Sequence, residues 1–346
     1  MNSILEGKTV LVTGGVGSVG SALVERLLDE NVRTVRVLDL DETKEFEMRH
    51  RLKNHPKLRL LVGDVRDKGR MVHAMEGVDI VFHCAALKHV LSCEYNPFEA
   101  VKTNVLGTQN VVEAALENNV ERVIFTSSDK AVNPTNVMGT SKLLAERLVT
   151  AGNYYKGGRK TVLASVRFGN VVGSRGSVVP LFKKQIAKGG PVTITNPDMT
   201  RFVMTNGQTI DLLFKALELS QGGEVFILKM PVVKVDDLAD TMIETYGAGN
   251  PKRVEKVKKG TLPGEKMHEE LMTEDEGLRA LEREDMFVLP PQDSGGFDEV
   301  TIGVSMDKYN AKKATIDRYS SGQVKPMGKE EIVAMLKMND DEEKEE

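Results

Sequence analysis

The sequence predicts an α/β protein: a Rossmann-type doubly wound parallel sheet with a smaller, mixed α/β substrate lobe after it. Three observations carry that prediction. Short apolar runs alternate with helical patterns through the first 172 residues, as βαβ crossovers require. A glycine loop joins the first apolar run to the first helical stretch. Beyond residue 172 the runs shorten and the alternation breaks up. A chain of 346 residues also exceeds what a single core usually covers. The expected division is a dinucleotide domain over 1–172, with a segment near 205–235 returning to it, and an interleaved lobe over 173–330. The acidic end, 338–346, reads as a disordered tail.

Hydrophobic residues make up 40% of the chain, charged residues 28%, and the net charge is −4. Nothing in that balance points to nucleic acid or to an anionic membrane surface. No apolar run is long enough to span a bilayer, and the N-terminal residues lack a signal-peptide pattern. Two cysteines, Cys84 and Cys93, give neither a disulfide framework nor a zinc pattern, so no metal is expected and a reducing, cytoplasmic setting is.

In chain order, 8–13 is a buried strand, and Gly14-Gly15-Val16-Gly17-Ser18-Val19-Gly20 is the loop after it. Gly14 permits the tight turn, Gly17 lets backbone approach a pyrophosphate, and Gly20 lets helix pack on strand. The following helix presents its positive end to phosphates. The strand at 34–38 ends at Asp39, where an acid hydrogen-bonds the adenosine ribose. A carboxylate there repels a 2′-phosphate, and no arginine directly follows, so NAD is favoured over NADP. Strand 58–62 leads to Asp64, placed to meet the adenine amino group, and Val65. Strand 79–86 ends in Ala85 and Ala86, small enough for a cofactor to lie close, and Lys88 and His89 follow. A long helix over 97–117 carries Asn104.

Strand 122–127 ends in the stretch Thr126-Ser127-Ser128-Asp129-Lys130. A turn at 133–136 precedes a helix bearing Met138 and Lys142, which are four apart and share a face. A polar cluster at a strand's carboxyl end, facing a helix that brings a lysine, is where open α/β sheets bind ligands. Further on, 162–171 reads as a strand, 173–180 as a glycine–serine loop with one arginine, and 181–188 as a helix. Pieces at 192–195, 200–205, 209–219, 225–230 and 235–246 follow, then a short helix at 268–272 and a strand at 286–289.

Several stretches carry a resemblance. They are Ala85-Ala-Leu-Lys-His-Val, Cys93-Glu-Tyr-Asn-Pro-Phe-Glu-Ala-Val-Lys-Thr-Asn, Ser127-Ser-Asp-Lys-Ala-Val-Asn-Pro-Thr-Asn-Val-Met-Gly, Arg167-Phe-Gly-Asn-Val-Val-Gly-Ser-Arg-Gly-Ser-Val and Pro263-Gly-Glu-Lys-Met-His-Glu-Glu-Leu. With the glycine loop they resemble extended short-chain dehydrogenase/reductases acting on nucleotide sugars, and more narrowly the UDP-N-acetylglucosamine 4,6-dehydratases of polysaccharide biosynthesis. The family's usual tyrosine is Met138 here, as in a capsule-type subgroup. An arginine usually precedes the Pro-Gly-Glu-Lys element, and Leu262 stands there instead, which leaves Arg201, Arg175 or Lys258 and Lys259 to grip the diphosphate.

The resemblance implies oxidation at sugar C4, elimination of water across C5–C6 and return of hydride to C6, with NAD recycled and C5 inverted. It assigns Lys130 as base at C5, Asp129 as acid at the C6 oxygen, Lys142 as holder of the nicotinamide ribose, and Ser128 or Ser127 as partner of the C4 oxygen. A base lysine needs its pKa lowered, which burial and the charge of Lys142 or of the nicotinamide are expected to do. Met138 exchanges no proton and is expected to pack against the sugar or nicotinamide. Lys88, His89, Asn170, Ser174, Arg175, Ser177, Arg201 and Glu265 are expected to contact UDP and the sugar. A homo-oligomer paired through the 97–117 and 137–151 helices is also implied. The competing readings are a UDP-sugar 4-epimerase and a non-catalytic protein that binds NAD and UDP-sugar.

Overall fold

The computed structural model describes residues 3–247, 254–291 and 306–345. Its centre is a ten-stranded sheet. From one edge, Leu58–Val62, Thr34–Asp39, Thr9–Thr13, Ile80–His83, Arg122–Thr126, Val162–Arg167 and Val225–Leu228 lie side by side and parallel. Met286–Leu289, Leu281–Glu282 and Lys312–Lys313 then extend it antiparallel. Thr9–Thr13 and Ile80–His83 are buried at every residue, because helices cover both faces of the parallel part of the sheet. The chain runs outward from Thr9–Thr13 to one side and then restarts at Ile80–His83 on the other. That reversal opens a crevice at the carboxyl ends of these two strands, the standard ligand position of such sheets.

A second, smaller assembly sits over those carboxyl ends. Asn170–Val171, Thr200–Met204 and Val232–Lys234 form one small sheet, and Val192–Ile194 pairs with Lys256–Lys258. Helices Val178–Ala187, Val235–Tyr246 and Lys329–Glu345 share a separate apolar cluster that includes Phe182, Leu238, Met242, Ile332 and Leu336. Within 173–330, the strands at 225–228, 281–289 and 312–313 belong to the large sheet rather than to the lobe.

Three local expectations are corrected. Residues 268–272 hold a strand, Glu270–Met272, paired with Tyr319–Ser320. Its partner lies far along the chain, so local sequence cannot reveal the pairing. The acidic end expected to be a disordered tail is part of helix Lys329–Glu345. Ile332 and Leu336 are fully buried, and Asp340 accepts hydrogen bonds from Lys183 (2.6 Å) and the Tyr246 hydroxyl (2.8 Å). Those contacts hold the helix despite its acidity. The stretch at 97–117 is not one regular helix: Pro97–Ala100 and Gly107–Glu117 flank a π-helical segment, Val101–Leu106. π segments often mark functional sites, and this one carries Asn104.

Candidate active site

The glycine loop is built for a dinucleotide. Gly14 has φ +67°, and a Cβ there would lie 2.6 Å from the Ala85 nitrogen, so strand ends meet without side chains between them. A Cβ on Gly20 would lie 2.2 Å from the Gly14 oxygen. Helix Ser18–Asp29 begins after Gly17 with no side-chain cap, which leaves its first N–H groups open to an anion. Asp39 turns back onto the loop and accepts hydrogen bonds from the Val16 and Asp41 nitrogens, each 3.2 Å. This cradle fits NAD: small residues for close approach, an uncapped helix end for pyrophosphate, and a carboxylate for ribose hydroxyls.

Beneath the cradle runs a buried polar chain. His83 bonds Thr13 (2.7 Å) and Thr108 (3.0 Å). Burial first, and then the charge of Lys142, push its pKa down to about 3, so the ring is neutral. Thr108 donates to the Asn104 carbonyl. The Asn104 side chain accepts from the Leu87 nitrogen (2.8 Å) and donates to the Leu87 carbonyl and to Ser141. Asn104 therefore braces the segment that follows Ala85 and Ala86 and ties it to helix Val137–Tyr155. Asp64 is held by Arg66, at 2.9 Å from its nitrogen and 2.6 Å from its Nε. Val65 is buried against Gly107.

The polar cluster expected from the sequence lies at the end of strand Arg122–Thr126. Asp129–Ala131 forms a 3-10 turn capped by Ser128. Asp129 is fully buried. Its Oδ1 accepts from the Ser128 hydroxyl (2.8 Å) and from Lys130 Nζ (2.9 Å), while Oδ2 is buried without a partner. The Ser127 hydroxyl is also buried and unpartnered. Helix Val137–Tyr155 starts hard against this turn: a Cβ on Gly139 would lie 2.1 Å from the Lys130 oxygen. That contact delivers Lys142, whose Nζ donates to the Thr126 carbonyl (2.8 Å) and sits 4.6 Å from the centre of the Phe125 ring.

The two lysines reverse the expected electrostatics. Burial pulls Lys130 down, but the carboxylates of Asp129 and Glu269 and the hydrogen bond that Lys130 donates to Asp129 outweigh it, so its pKa is raised. Lys142 has no such partner beside it, and burial lowers it to about 8. The lysine with the lowered pKa is thus Lys142, and Lys130 rests as an ammonium. Below about pH 8 the folded and unfolded chains both carry the Lys142 proton, and the folded state bears the cost of burying it. Between about 8 and the ordinary 10.5 the unfolded chain binds more protons, so stability rises with pH. Relative to Lys142→Met, the cofactor-free protein should gain about 3 kcal/mol across that interval. Urea titrations of both proteins at several pH values measure this difference, and a flat difference counts against it.

Met138 is 3% exposed and packs against Cys93 and Ala100 inside the protein, which corrects the expectation that it faces the sugar or nicotinamide. Its neighbours come from helices Val90–Tyr95 and Pro97–Ala100, an apolar pocket that only the packed structure assembles.

The expected substrate contacts divide. Arg175 lies on the dinucleotide side: its guanidinium donates to the Val16 carbonyl, and its nitrogen bonds the Ser18 hydroxyl (3.1 Å). Gly173 and Gly176, both at φ +75°, fold its loop back onto the glycine loop. Gly176 also packs on the His89 ring. Ser174 and Arg175 line a cavity of about 220 Å³ with Ser18, Lys44 and Arg51. Lys88 is exposed at this end, its pKa lowered by partial burial and by Arg175. The Ser177 hydroxyl is buried and unpartnered. Asn170 donates to the Phe202 carbonyl. Glu265 accepts from the Leu262 nitrogen and closes its own turn.

The segment around Glu265 sends two other residues inward. Lys266 donates to the Val132 carbonyl (2.6 Å). Glu269 is 3% exposed, with Oε1 3.7 Å from Lys130 Nζ and 3.8 Å from Arg201 Nε, and with Oε2 buried and unpartnered. Neither was singled out from sequence, although both stand in the quoted Pro263-Gly-Glu-Lys-Met-His-Glu stretch. The available signal was a charged run between apolar residues in a segment already marked as distinctive. Thr135 and Asn136 clamp the same segment through the Gly264 carbonyl. Behind it, Arg167 is fully buried and bonds both oxygens of Glu146 and of Glu276, plus the Leu271 carbonyl.

A Rossmann sheet with this glycine loop, and an acid–base cluster at the adjoining strand end, defines an extended short-chain dehydrogenase/reductase of the group that dehydrates or epimerises nucleotide sugars. The chain belongs to the polysaccharide biosynthesis protein family, whose model matches residues 10–291. It is 51% identical over 341 residues to the "Uncharacterized membrane protein MJ1061" of Methanocaldococcus jannaschii, covering 97% of each chain. Among the described residues no helix is long and apolar enough to cross a membrane. It is 40% identical over 333 residues to a UDP-glucose 4-epimerase of Rickettsia rickettsii, covering 95% of each. The structure of Pen from Bacillus thuringiensis superposes with a TM-score of 0.89 at 43% identity, over 96% of this chain and 98% of that one. Less similar solved structures with this fold were determined with NAD bound.

Proposed function

We propose that the protein is a UDP-N-acetylglucosamine 4,6-dehydratase that inverts C5. The observation that carries this reading is the pair of buried Asp129 and half-buried Lys130, with one Asp129 oxygen left unpartnered. Epimerisation at C4 calls for no acid–base pair acting at C5 and C6; elimination calls for both.

The loop Gly14–Gly20, the end of helix Ser18–Asp29, Asp39 and Lys142 would hold NAD, which would supply the hydride acceptor and donor. Asp39 argues for NAD over NADP. The chain itself supplies proton transfer. In the resting pair Lys130 is an ammonium and Asp129 a carboxylate. Transfer of one proton across their 2.9 Å hydrogen bond breaks an N–H bond of Lys130 and forms an O–H bond on Asp129. The products are an amine, which takes the C5 proton, and a carboxylic acid, which protonates the departing C6 oxygen. Ser128, bonded to the same carboxylate oxygen, orients it. Arg201, Ser177 and Asn170 are the proposed UDP-sugar contacts on the lobe side.

The family's UDP-glucose 4-epimerases keep one other reading in play. Mass spectrometry of the product from UDP-N-acetylglucosamine, and separately UDP-glucose, with added NAD distinguishes them. Loss of one water, about 18 Da, is expected with the N-acetylated sugar. An isobaric product from either sugar identifies an epimerase. Run in deuterated water and followed by NMR, the same reaction reports deuterium incorporation and configuration at C5.

A further inference from the structure

Two buried carboxylates flank Lys130 in this site, and the pair just described uses only one of them. Glu269 comes from a different part of the chain, and its backbone is locked in place. Its nitrogen bonds the Ser321 hydroxyl (2.9 Å), and its carbonyl accepts from the Ser321 nitrogen. Its side chain stands between Lys130 and Arg201, at 3.7 and 3.8 Å. Both separations exceed a hydrogen bond, so Glu269 acts on these cations through charge rather than through a fixed bond. Its second oxygen is buried and bonds nothing.

We propose that Glu269 is a positioning residue that holds Lys130 in its ammonium form, and that Arg201 competes with Lys130 for this carboxylate. The proposal deepens the dehydratase reading and, for its kinetic arm only, rests on it. With Glu269 facing Lys130, the proton stays on nitrogen. When a diphosphate draws on Arg201, the balance of charge around Glu269 changes, and the Asp129–Lys130 proton transfer is altered with it. The charged groups facing Lys130 are Asp129 on its own turn, Glu269 and Lys266 on the 263–269 segment, and Arg201 on strand Thr200–Met204. Among these, Glu269 and Arg201 act on Lys130 with opposite sign.

That opposition makes the test two-signed. The pH dependence of Lys130 acylation by acetic anhydride, read by mass spectrometry on the full chain, reports its free-amine fraction without any turnover. The Lys130 side chain is 22% exposed, enough for reagent access. Glu269→Gln removes a carboxylate and should move the acylation midpoint down by about one pH unit or more. Arg201→Met removes a cation and should move it up. Glu269→Asp should restore most of the wild-type midpoint. Midpoints unmoved in both Glu269→Gln and Arg201→Met overturn the proposal. In the kinetic arm, the rising limb of kcat against pH should shift down in Glu269→Gln; a fall in kcat with the limb unmoved also overturns it. If the wild-type protein forms no 4-keto product, the dehydratase reading fails, and the acylation arm still decides the role of Glu269.

Discussion

Replacing Lys130 by alanine is expected to lower turnover by roughly 10²–10⁴-fold, the range of a lost general acid–base group, with NAD affinity unchanged. The ammonium sits 2.9 Å from Asp129 and 3.7 Å from Glu269. The residues proposed to hold NAD are others: Gly14 to Gly20, Asp39 and Lys142. Lys130→Ala therefore separates chemistry from cofactor binding. It also leaves two buried carboxylates without their shared cation, so the variant needs a companion. Lys130→Arg retains the charge, but its guanidinium does not give up a proton in proteins. If proton transfer is the role, Arg restores folding stability and leaves turnover low. Recovery of turnover in Lys130→Arg would reduce Lys130 to an electrostatic anchor. Steady-state product formation, calorimetric titration with NAD and a melting curve for each variant read the three quantities separately.

The largest stability effect is expected at Arg167. Its guanidinium is 1% exposed and binds Glu146 and Glu276 bidentately. Burial alone would lower its pKa, but the two carboxylates raise it, so it stays charged at every working pH. Arg167→Met leaves two buried carboxylates facing one another with no compensating charge. Removal of one member of a buried ion cluster costs about 3–5 kcal/mol, a large share of a domain's whole stability. Chemical denaturation should show that loss, and Glu146→Gln combined with Glu276→Gln in the Arg167→Met background should recover part of it. A loss below about 1 kcal/mol, the scale of a surface pair, would show the cluster to be solvated. Activity should suffer as well, because Arg167 also holds the Leu271 carbonyl (3.1 Å), two residues from Glu269.

Much of the sheet was legible because it is written locally. Strands such as Leu58–Val62 and Met286–Leu289 match the expected ranges at both ends, since continuous apolar runs bounded by turn residues signal buried strands. The glycine loop was equally plain, because only glycine fits where Gly14 meets Ala85. The helix Val235–Tyr246 also followed from its periodicity. Three elements were misread for reasons that are not local. Strand Glu270–Met272 exists by virtue of its pairing with Tyr319–Ser320. Helix Lys329–Glu345 is stabilised by contacts to Lys183 and Tyr246. The π segment at Val101–Leu106 accompanies the turn of Asn104 toward Leu87.

The same division holds at the site. By itself the sequence determined the open parallel sheet, the dinucleotide loop with Asp39 beside it, and the adjacency of Ser128, Asp129 and Lys130, because each rests on residues close in the chain. Only the tertiary structure decided that the pKa of Lys130 is raised and that of Lys142 lowered. It also placed Met138 in an internal apolar pocket, turned Arg175 onto the glycine loop and brought Glu269 in as the second carboxylate. The physical reason is that a buried group's charge depends on which distant groups face it, and those groups come together only when the lobe closes over the strand ends.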